Sequence, residues 1–540
     1  MTDIQAALRR IDELAQREMD RSRAPALSMA ITDRERIVHL ATYGYAELES
    51  RTPLGPEHLF EFGSIGKSFT AIVLLQLAGE GVVDLHAPVS AYLPWFEVRS
   101  EFAPINLHHL LTHTAGITRG TDFPADPRYE VWALRETCAS TPPGQRFHYS
   151  NVGYKALGLV IERVTGKSYA EVVRERILEP LGMTATEPAI THATRARLAR
   201  GYAPRYDDRP WCPEHGYAPA TWLETNTADG CIAATPAELA AYLRMLMNGG
   251  RAPAATILDA DAYRAMTAPY IDTRTASAGG DRYGYGLAVR YDGERLVSIG
   301  HGGGMVGYYA LVQADLDAGF GIVTMTTGQL NQERLATYTL AALSAAARGD
   351  ELPELPELPD RLKVDCAADF AGTYHGDGAS LSLEARGDQL FLINGGGAAA
   401  LEPREAGAFL VHDPEFDRFL LRVERDDEGA VMALHHGERS WYAAGRQRPA
   451  AEPPEEWRAY TGHYRSHNPW QSNFRIILRG NRLLLAGASG WEEPLLPIGP
   501  ATFRVESEDT PETISFDTLV DGEAWRAVYS GAPYYRFFTP

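Results

Sequence analysis

The sequence has few cysteines, no long apolar run and no excess of basic residues. Its four cysteines among 540 residues form no CxxC pair and no cluster, which is typical of reduced thiols in a cytoplasmic protein. No stretch of about 18 apolar residues occurs, so we expect no membrane-spanning helix. The N-terminal segment lacks the apolar core and cleavage site of a signal peptide, and its pattern is typical of an amphipathic helix. We therefore expect a cytoplasmic protein.

The charge and the histidines exclude further classes. Lysine and arginine total 51 against 71 acidic residues, which gives a formal net charge of −20. Nucleic acids and anionic membranes bind through basic patches, so we expect neither as a partner. No HExxH motif occurs, and the adjacent His108 and His109 cannot face one ion from one side of a helix. We therefore expect no metal and no cofactor.

Residues 1–350 alternate helical and strand patterns. Residues 27–32 and 37–42 predict a hairpin, and residues 333–347 predict a closing helix. Residues 66–80 are apolar nearly all round, which predicts a buried helix. Strands at both ends of this stretch, with helices between them, predict one sheet built from both of its termini.

A proline repeat separates this stretch from a different kind of sequence. Residues 351–362 begin with a Glu-Leu-Pro repeat and predict a stiff extended linker. After it come short strand patterns and an internal repeat, in which residues 370–374 (FAGTY) recur as residues 460–464 (YTGHY). We expect two small antiparallel barrels, one over residues 363–450 and one over residues 451–540.

Ser64 is the only serine in the chain that has a lysine three residues later, Lys67. Ser64 lies just before the predicted buried helix, whose N-terminus favours developing negative charge. Lys67 would lie on the same face one turn away, and burial would favour the neutral amine that can take a proton from the serine. A lone S-x-x-K is weak evidence, because a capping serine and a surface lysine are the more common explanation.

Tyr149 and Asn151 form a second candidate motif at the start of a predicted helix. Turn residues precede them and a helical run follows, so both lie where functional side chains are common. The tyrosine could relay a proton, and the asparagine could hold the lysine and a substrate carbonyl. A packing tyrosine beside a capping asparagine is the ordinary alternative.

His301, Gly302, Gly303 and Gly304 follow a predicted strand over residues 296–299. Glycines at this place would let a substrate lie along the strand edge and would leave a backbone N–H free as an oxyanion donor. The stretch also satisfies GxGxxG, but a strand pattern follows it instead of the helix that a dinucleotide site needs. An ordinary turn histidine is the alternative.

In this order the three motifs resemble S-x-x-K, Y-x-N and H-x-G of the penicillin-recognising serine hydrolases, which include class C β-lactamases, D-aminopeptidases, DD-carboxypeptidases and esterases. The resemblance covers residues 20–345 and includes the flanking phrases LLTHTAG at residues 110–116 and PLGM at residues 180–183. It implies an α/β (α+β) β-lactamase/transpeptidase-like domain with an antiparallel sheet and a helical region, followed here by two lipocalin-like barrels.

The resemblance also implies a role for each motif residue. The implied roles are Ser64 as nucleophile, Lys67 and Tyr149 as shared general bases, Asn151 and His301 as further catalytic residues, the N–H groups of Ser64 and Gly304 as oxyanion donors, and Gly302 and Gly303 as substrate contacts.

Two departures from the family pattern bear on the substrate. His301 stands where β-lactamases and carboxypeptidases usually have a lysine that helps to hold a substrate carboxylate, so an efficient β-lactamase is not expected. A catalytic domain with two barrels resembles the bacterial D-aminopeptidases, in which a barrel loop reaches the active site. The candidate loop here spans residues 506–511, and its Glu508 and Asp509 could pair with a substrate ammonium. A solvated acidic hairpin is the alternative.

We therefore expect a serine aminopeptidase or amidase that acts on D-amino-acid amides or short peptides, so that its partner is a small substrate. An esterase or β-lactamase-like hydrolase of the same fold and a peptide cyclase or thioesterase are alternatives. A binding protein with a vestigial site is an alternative from another class. The oligomeric state is left open, with a homodimer among the options.

Overall fold

The computed structural model of this chain describes residues 4–120, 126–376, 378–394, 397–405, 407–446 and 452–538. The chain divides into two compact units. The first contains the residues up to 205, residues 216–356 and residues 509–511, and the second contains residues 206–215, 357–508 and those from 512 onward. None of the helices in the described ranges is long and apolar enough to cross a membrane.

All of the α-helices found among the described residues belong to the first unit. They are α1 Ile4–Ser22, α2 Gly66–Gly79, α3 Val89–Tyr92, α4 Leu107–Leu111, α5 Pro127–Ala133, α6 Asn151–Thr165, α7 Tyr169–Val173, α8 Glu179–Leu181, α9 Pro236–Met247, α10 Ala260–Thr267 and α11 Gln332–Arg348. Its strands are β1 Ala26–Thr32, β2 Ile37–Glu47, β3 Thr52–Pro53, β4 Phe60–Glu61, β5 Tyr202–Pro204, β6 Tyr217–Pro219, β7 Ala233–Ala234, β8 Arg251–Ala252, β9 Ala255–Thr256, β10 Ile271–Ser277, β11 Gly280–Tyr283, β12 Ala288–Asp292, β13 Arg295–Met305, β14 Tyr308–Asp315 and β15 Phe320–Thr327.

A nine-stranded antiparallel sheet organises the first unit, with the order β10-β11-β12-β13-β14-β15-β1-β2-β3. Strand β1 lies in its interior, where Ala30 is opposite Val323 of β15 and Leu40 of β2. Helices α9 and α11 pack on β15, and α1 packs on α11. The predicted hairpin, the closing helix and the sheet made from both ends of the unit are therefore confirmed.

The second unit contains two closed antiparallel barrels of eight strands each. The strands of the first are β16 Gly372–Gly376, β17 Ala379–Arg386, β18 Gln389–Asn394, β19 Gly397–Glu405, β20 Ala408–Val411, β21 Leu421–Arg425, β22 Val431–His436 and β23 Arg439–Tyr442. Those of the second are β24 Gly462–Arg465, β25 Asn473–Arg479, β26 Arg482–Gly487, β27 Glu492–Gly499, β28 Thr502–Val505, β29 Thr513–Val520, β30 Glu523–Tyr529 and β31 Ala532–Phe537. The predicted pair of small barrels is confirmed.

Equivalent residues of the internal repeat form the same hydrogen bond in each barrel. The Tyr374 hydroxyl donates to the carbonyl of Phe370 at 2.7 Å, and the Tyr464 hydroxyl donates to the carbonyl of Tyr460 at 2.8 Å. This bond ties the first strand of each barrel to the short 3-10 turn before it. Residues 351–360 form neither helix nor strand, and the predicted boundary between the barrels at residue 450 lies outside the described residues.

Candidate active site

Ser64 lies in a single 3-10 turn, Gly63–Ile65, that runs directly into α2. Helix α2 is buried over almost its whole length, as its apolar pattern predicts, and Phe69 and Ile72 have no exposed surface. Because the core holds the helix on all sides, its first turn presents Ser64 in a fixed position.

Lys67 is fully buried and surrounded by uncharged acceptors. Its Nζ lies 3.0 Å from Ser64 Oγ, 2.8 Å from Asn151 Oδ1 and 2.6 Å from the carbonyl oxygen of Asp229. A neutral amine can donate to the two carbonyl oxygens and accept the proton of the Ser64 hydroxyl. The arrangement can therefore activate the serine as a nucleophile.

Tyr149 and Asn151 come together with this pair. The Ser150 hydroxyl caps α6 by accepting the N–H of Gly153 at 3.1 Å, which makes Asn151 the first residue of the helix. The cap is thus the serine between the two motif residues, and the asparagine side chain is left for Lys67. The Tyr149 ring centroid lies 4.8 Å from Lys67 Nζ.

Two backbone N–H groups lie close together beside the nucleophile. Gly63 has a φ of +55°, and a Cβ on it would lie 2.6 Å from the nitrogen of Gly304. A Cβ on Gly303 would lie 3.2 Å from the nitrogen of Ser64 and would collide with the carbonyl oxygen of Phe62. Only glycine permits this approach of strand β13 to the nucleophile turn. The backbone nitrogens of Ser64 and Gly304 therefore lie on two segments that are packed closely together, and their use as an oxyanion hole stays a prediction.

The prediction that the strand ends at Ile299 is wrong. Strand β13 continues to Met305, so His301 and the three glycines after it lie within the sheet. The register places His301 opposite Val312 of β14. Pairing with a neighbouring strand holds these glycines extended even though glycine disfavours strands, because tertiary context outweighs local propensity.

His301 is buried and uncharged. Its Nδ1–H donates to the carbonyl of Gly302 at 2.5 Å, and its Nε2 accepts the hydroxyl of Tyr283 at 2.9 Å. The pKa of His301 is lowered to about 4, mainly by burial and to a smaller extent by the nearby Lys67. Burial also raises the pKa of Tyr283 well above its usual value, so this phenol keeps the proton that it donates. The third motif therefore has no positive charge with which to bind a substrate carboxylate.

The family is decided by the match of a family model described as Beta-lactamase to residues 11–346. The chain belongs to the beta-lactamase family. Members of this family are serine hydrolases, which agrees with the Ser64–Lys67 pair.

Known proteins extend the likeness. Penicillin-binding protein 4 of Amycolatopsis lactamdurans is 28% identical over 340 residues, which cover 60% of this chain and 86% of that protein. The octameric penicillin-binding protein homologue from Pyrococcus abyssi superposes with a TM-score of 0.59 at 25% identity, covering 80% of this chain and 99% of that one. The D-amino acid amidase from Ochrobactrum anthropi shares the fold, with a TM-score of 0.50 at 23% identity over 63% of this chain and 99% of that one.

The two acidic residues predicted to bind substrate lie in different units. Asp509 belongs to the first unit, where its carboxylate lies 2.7 Å from Arg146 and its carbonyl accepts the hydroxyl of Ser140 at 2.8 Å. Glu508 is exposed and belongs to the second unit. The structure therefore gives the Asp509 carboxylate a cationic partner of its own.

Three residues of the site have no sequence signal that names them. Asp229 supplies an acceptor for Lys67, and Tyr283 supplies the donor for His301. His113 lies in the flanking phrase of residues 110–116, and its buried ring is 4.1 Å from the ring of Tyr149. Its Nδ1 accepts the N–H of Ser150 at 3.0 Å, and burial lowers its pKa well below the usual value. A neutral histidine therefore helps to position Tyr149.

One group of potential metal ligands lies in the described part of the second unit. The donor atoms of Cys212, Glu214 and His412 are within 4.8 Å of one another. Arg361 already pairs with both carboxylate oxygens of Glu214, at 2.8 and 3.0 Å. A guanidinium in that position opposes a metal cation, so the group fits an ion-pair network better than a metal site.

Proposed function

We propose that the chain is a serine hydrolase that works through an acyl-enzyme and acts on amides of D-amino acids or on short peptides. The observation that carries the hydrolase chemistry is the buried Lys67, whose Nζ lies 3.0 Å from Ser64 Oγ and also contacts two uncharged carbonyl oxygens. The substrate class rests on the uncharged His301 and on the two barrels that follow the catalytic domain.

The geometry supports the following steps. Ser64 Oγ bonds to the substrate carbonyl carbon while its proton passes to Lys67 Nζ. The carbonyl oxygen becomes an oxyanion, to which the N–H groups of Ser64 and Gly304 donate. When the C–N bond breaks, the leaving amine takes a proton that Lys67 delivers through the Tyr149 hydroxyl. Water then attacks the ester carbon while Lys67 takes its proton, the bond from that carbon to Ser64 Oγ breaks, and the proton passes from Lys67 to Oγ.

The uncharged imidazole of His301 favours substrates that have no carboxylate next to the reacting carbonyl. Amides and esters meet this condition, whereas β-lactams and C-terminal dipeptides carry a carboxylate that needs a cation. The two barrels are the arrangement of the D-aminopeptidases that the sequence resembles, which supports amides of D-residues over other amides.

An esterase is the second candidate, and the aromatic wall around His301 favours it. The ring centroids of Phe147 and Tyr283 are 5.3 Å apart, and those of Tyr149 and His301 are 6.3 Å apart. Such a wall suits an apolar acyl or alkyl group.

The test compares kcat/KM for D-alanine p-nitroanilide, L-alanine p-nitroanilide and p-nitrophenyl butyrate, with Ser64→Ala as the inactive control. We expect the D-anilide to exceed the L-anilide at least tenfold. Turnover of the ester alone would move the assignment to an esterase. Equal labelling of wild type and Ser64→Ala by a fluorophosphonate would overturn the serine mechanism itself.

A second comparison tests the role assigned to His301. D-alanyl-D-alanine amide and D-alanyl-D-alanine differ only in the terminal carboxylate, and we expect the wild type to prefer the amide. His301→Lys should shift that preference toward the free acid, because it restores a cation at the third motif. An unchanged ratio would mean that His301 does not face the leaving group.

A further inference from the structure

A cavity with a volume of about 460 Å³ lies in the first unit. Among the residues that line it are Glu47, His58, Glu61, Arg195, Trp222 and Tyr308. The lining includes none of Ser64, Lys67, Tyr149 or His301, so the cavity is distinct from the site described above. Its size lies within the range of small-molecule pockets, roughly 300 to 1,000 Å³.

Glu61 is the feature of this cavity that needs an explanation. It lies on β4, opposite Ala233 of β7, and only 4% of its surface is exposed. Across the described residues, no hydrogen bond or ion pair reaches its carboxylate, and burial alone raises its pKa to about 8. A buried carboxyl group without a partner is costly to keep in a fold.

The other polar groups that line the cavity have contacts of their own, some of them with one another. Arg200 pairs with Glu47 at 2.7 Å, and His58 lies 3.6 Å from Glu57. The guanidinium of Arg195 lies 5.2 Å from the ring centroid of Trp222. Tyr308 donates its hydroxyl to the carbonyl of Ala199 at 2.8 Å. Within the described residues none of these contacts involves the carboxylate of Glu61, although Glu47, His58, Arg195, Arg200 and Tyr308 line the same cavity.

We propose that this cavity binds a small organic cation, with Glu61 holding its ammonium group and Trp222 forming an aromatic wall. An unpaired, buried carboxyl group recognises an ammonium, and an indole ring attracts the same charge through its π face. Amines, free amino acids and peptide N-termini all supply this group. The inference is independent of the function proposed above, because no residue of the Ser64 site takes part.

Binding has a measurable proton balance. Below pH 8 the carboxyl group of Glu61 holds its proton, and an ammonium ligand favours the carboxylate. The O–H bond of Glu61 therefore breaks when the ligand binds, and the proton passes to the buffer. Release should approach one proton per ligand at pH values well below the pKa of Glu61 and should fall toward zero at pH values well above it. Glu47, His58, Arg195, Arg200 and Tyr308 are the titratable groups that face this cavity.

The experiment uses the full chain with Ser64 blocked by a fluorophosphonate, so that the reactive serine is occupied. Calorimetric titration with 2-phenylethylammonium in two buffers of different ionisation enthalpy gives the affinity and the protons released. We expect one bound ligand with proton release, at least tenfold weaker binding in Glu61→Gln and no release in that variant. Glu57→Gln changes an exposed carboxylate outside the lining and should leave both values unchanged.

Three results would overturn the site. They are equal affinity in Glu61→Gln, equal affinity for the neutral 2-phenylethanol, and no binding once Ser64 is blocked. If Glu61→Gln does not fold, Trp222→Leu replaces it, and we expect at least threefold weaker binding with the same release per ligand. Comparing the affinities of phenylalanine and phenylalanine amide distinguishes a free amino acid from other amines as the ligand, because only the free amino acid has a carboxylate that could pair with Arg195.

Discussion

Two buried lysines lie in neighbouring regions of the first unit, and their partners differ in charge. Lys155 on α6 is 4% exposed, and its Nζ lies 2.6 Å from the carboxylate of Glu130 on α5. Lys67 on α2 has no exposed surface and lies against a hydroxyl, an amide and a backbone carbonyl. A carboxylate partner stabilises an ammonium by its opposite charge, whereas a hydroxyl, an amide and a backbone carbonyl carry no such charge.

Helix α6 carries Lys155 and also contacts Lys67. Asn151 and Lys155 are four residues apart on α6, so a single turn separates the amide that contacts Lys67 from the lysine that pairs with Glu130. Burial of a lysine therefore does not by itself make it a base. The charge of the group opposite decides whether it is structural or reactive.

Removing Lys67 should have the largest effect. We expect Lys67→Met to lower kcat/KM by about 10³- to 10⁴-fold, because the general base is lost, while the thermal midpoint stays near that of the wild type. The matched control is the double variant Glu130→Leu with Lys155→Met, which removes the other lysine together with its partner and should keep most of the activity. Comparable losses of kcat/KM in both variants would show that the two lysines do not differ in their role.

Removing the partner of Lys155 should affect stability instead of chemistry. We expect Glu130→Gln to lower the free energy of unfolding by about 3 to 5 kcal/mol, because it leaves a buried ammonium without its carboxylate. Urea denaturation measures this value, and kcat/KM of the folded fraction checks the activity. The double variant above should recover most of the loss. A stability equal to that of the wild type would show that the pair is not needed.

Asn151→Asp would make Lys67 resemble Lys155. The new carboxylate would lie beside Nζ, where Oδ1 of the asparagine is now 2.8 Å away, and would stabilise the ammonium. We expect kcat/KM to fall about 10²-fold at pH 7 and to recover partly as the pH rises. Asn151→Ser removes the contact without adding charge and should show no such recovery. A flat pH profile for the aspartate variant would contradict the comparison.

The last prediction concerns His301, which burial keeps neutral and whose substitution should change only the pH dependence of stability. Its folded pKa of about 4 lies below the value of about 6.5 expected in the unfolded chain, so below pH 6.5 the unfolded state binds a proton that the folded state refuses. Stability is therefore full above pH 6.5 and falls by roughly 1.4 kcal/mol per unit toward pH 4. Urea unfolding of His301→Gln between pH 7 and 4.5 should show a shallower fall. The exposed His192, changed to glutamine, should leave the slope unaltered.

Local pattern predicts some elements well and others poorly. Helix α2 runs from Gly66 to Gly79, within one residue of the prediction, because an apolar surface on every side leaves a buried helix as the only stable solution. The barrels are predictable because Tyr374 and Tyr464 make the same hydrogen bond in both copies, which keeps the repeat visible in the sequence.

The features that could not be predicted from the sequence depend on contacts between residues that are far apart in the chain. Asp229 reaches Lys67 across 162 residues, and no motif surrounds it. The continuation of β13 through His301 depends on β14, which local glycine content cannot reveal. The carboxylate of Asp509 looks available in the sequence, because its cationic partner Arg146 is remote along the chain.

The position of β1 inside the sheet, between β15 and β2, has a consequence during synthesis. Its residue Ala30 pairs with Val323, roughly 300 residues later. At about 5 to 20 residues per second, the ribosome needs roughly 15 to 60 seconds to supply that partner strand. Throughout this interval an apolar strand edge stays open to other chains. Expression level and chaperone supply, more than the strength of the finished core, should therefore set the yield of active protein.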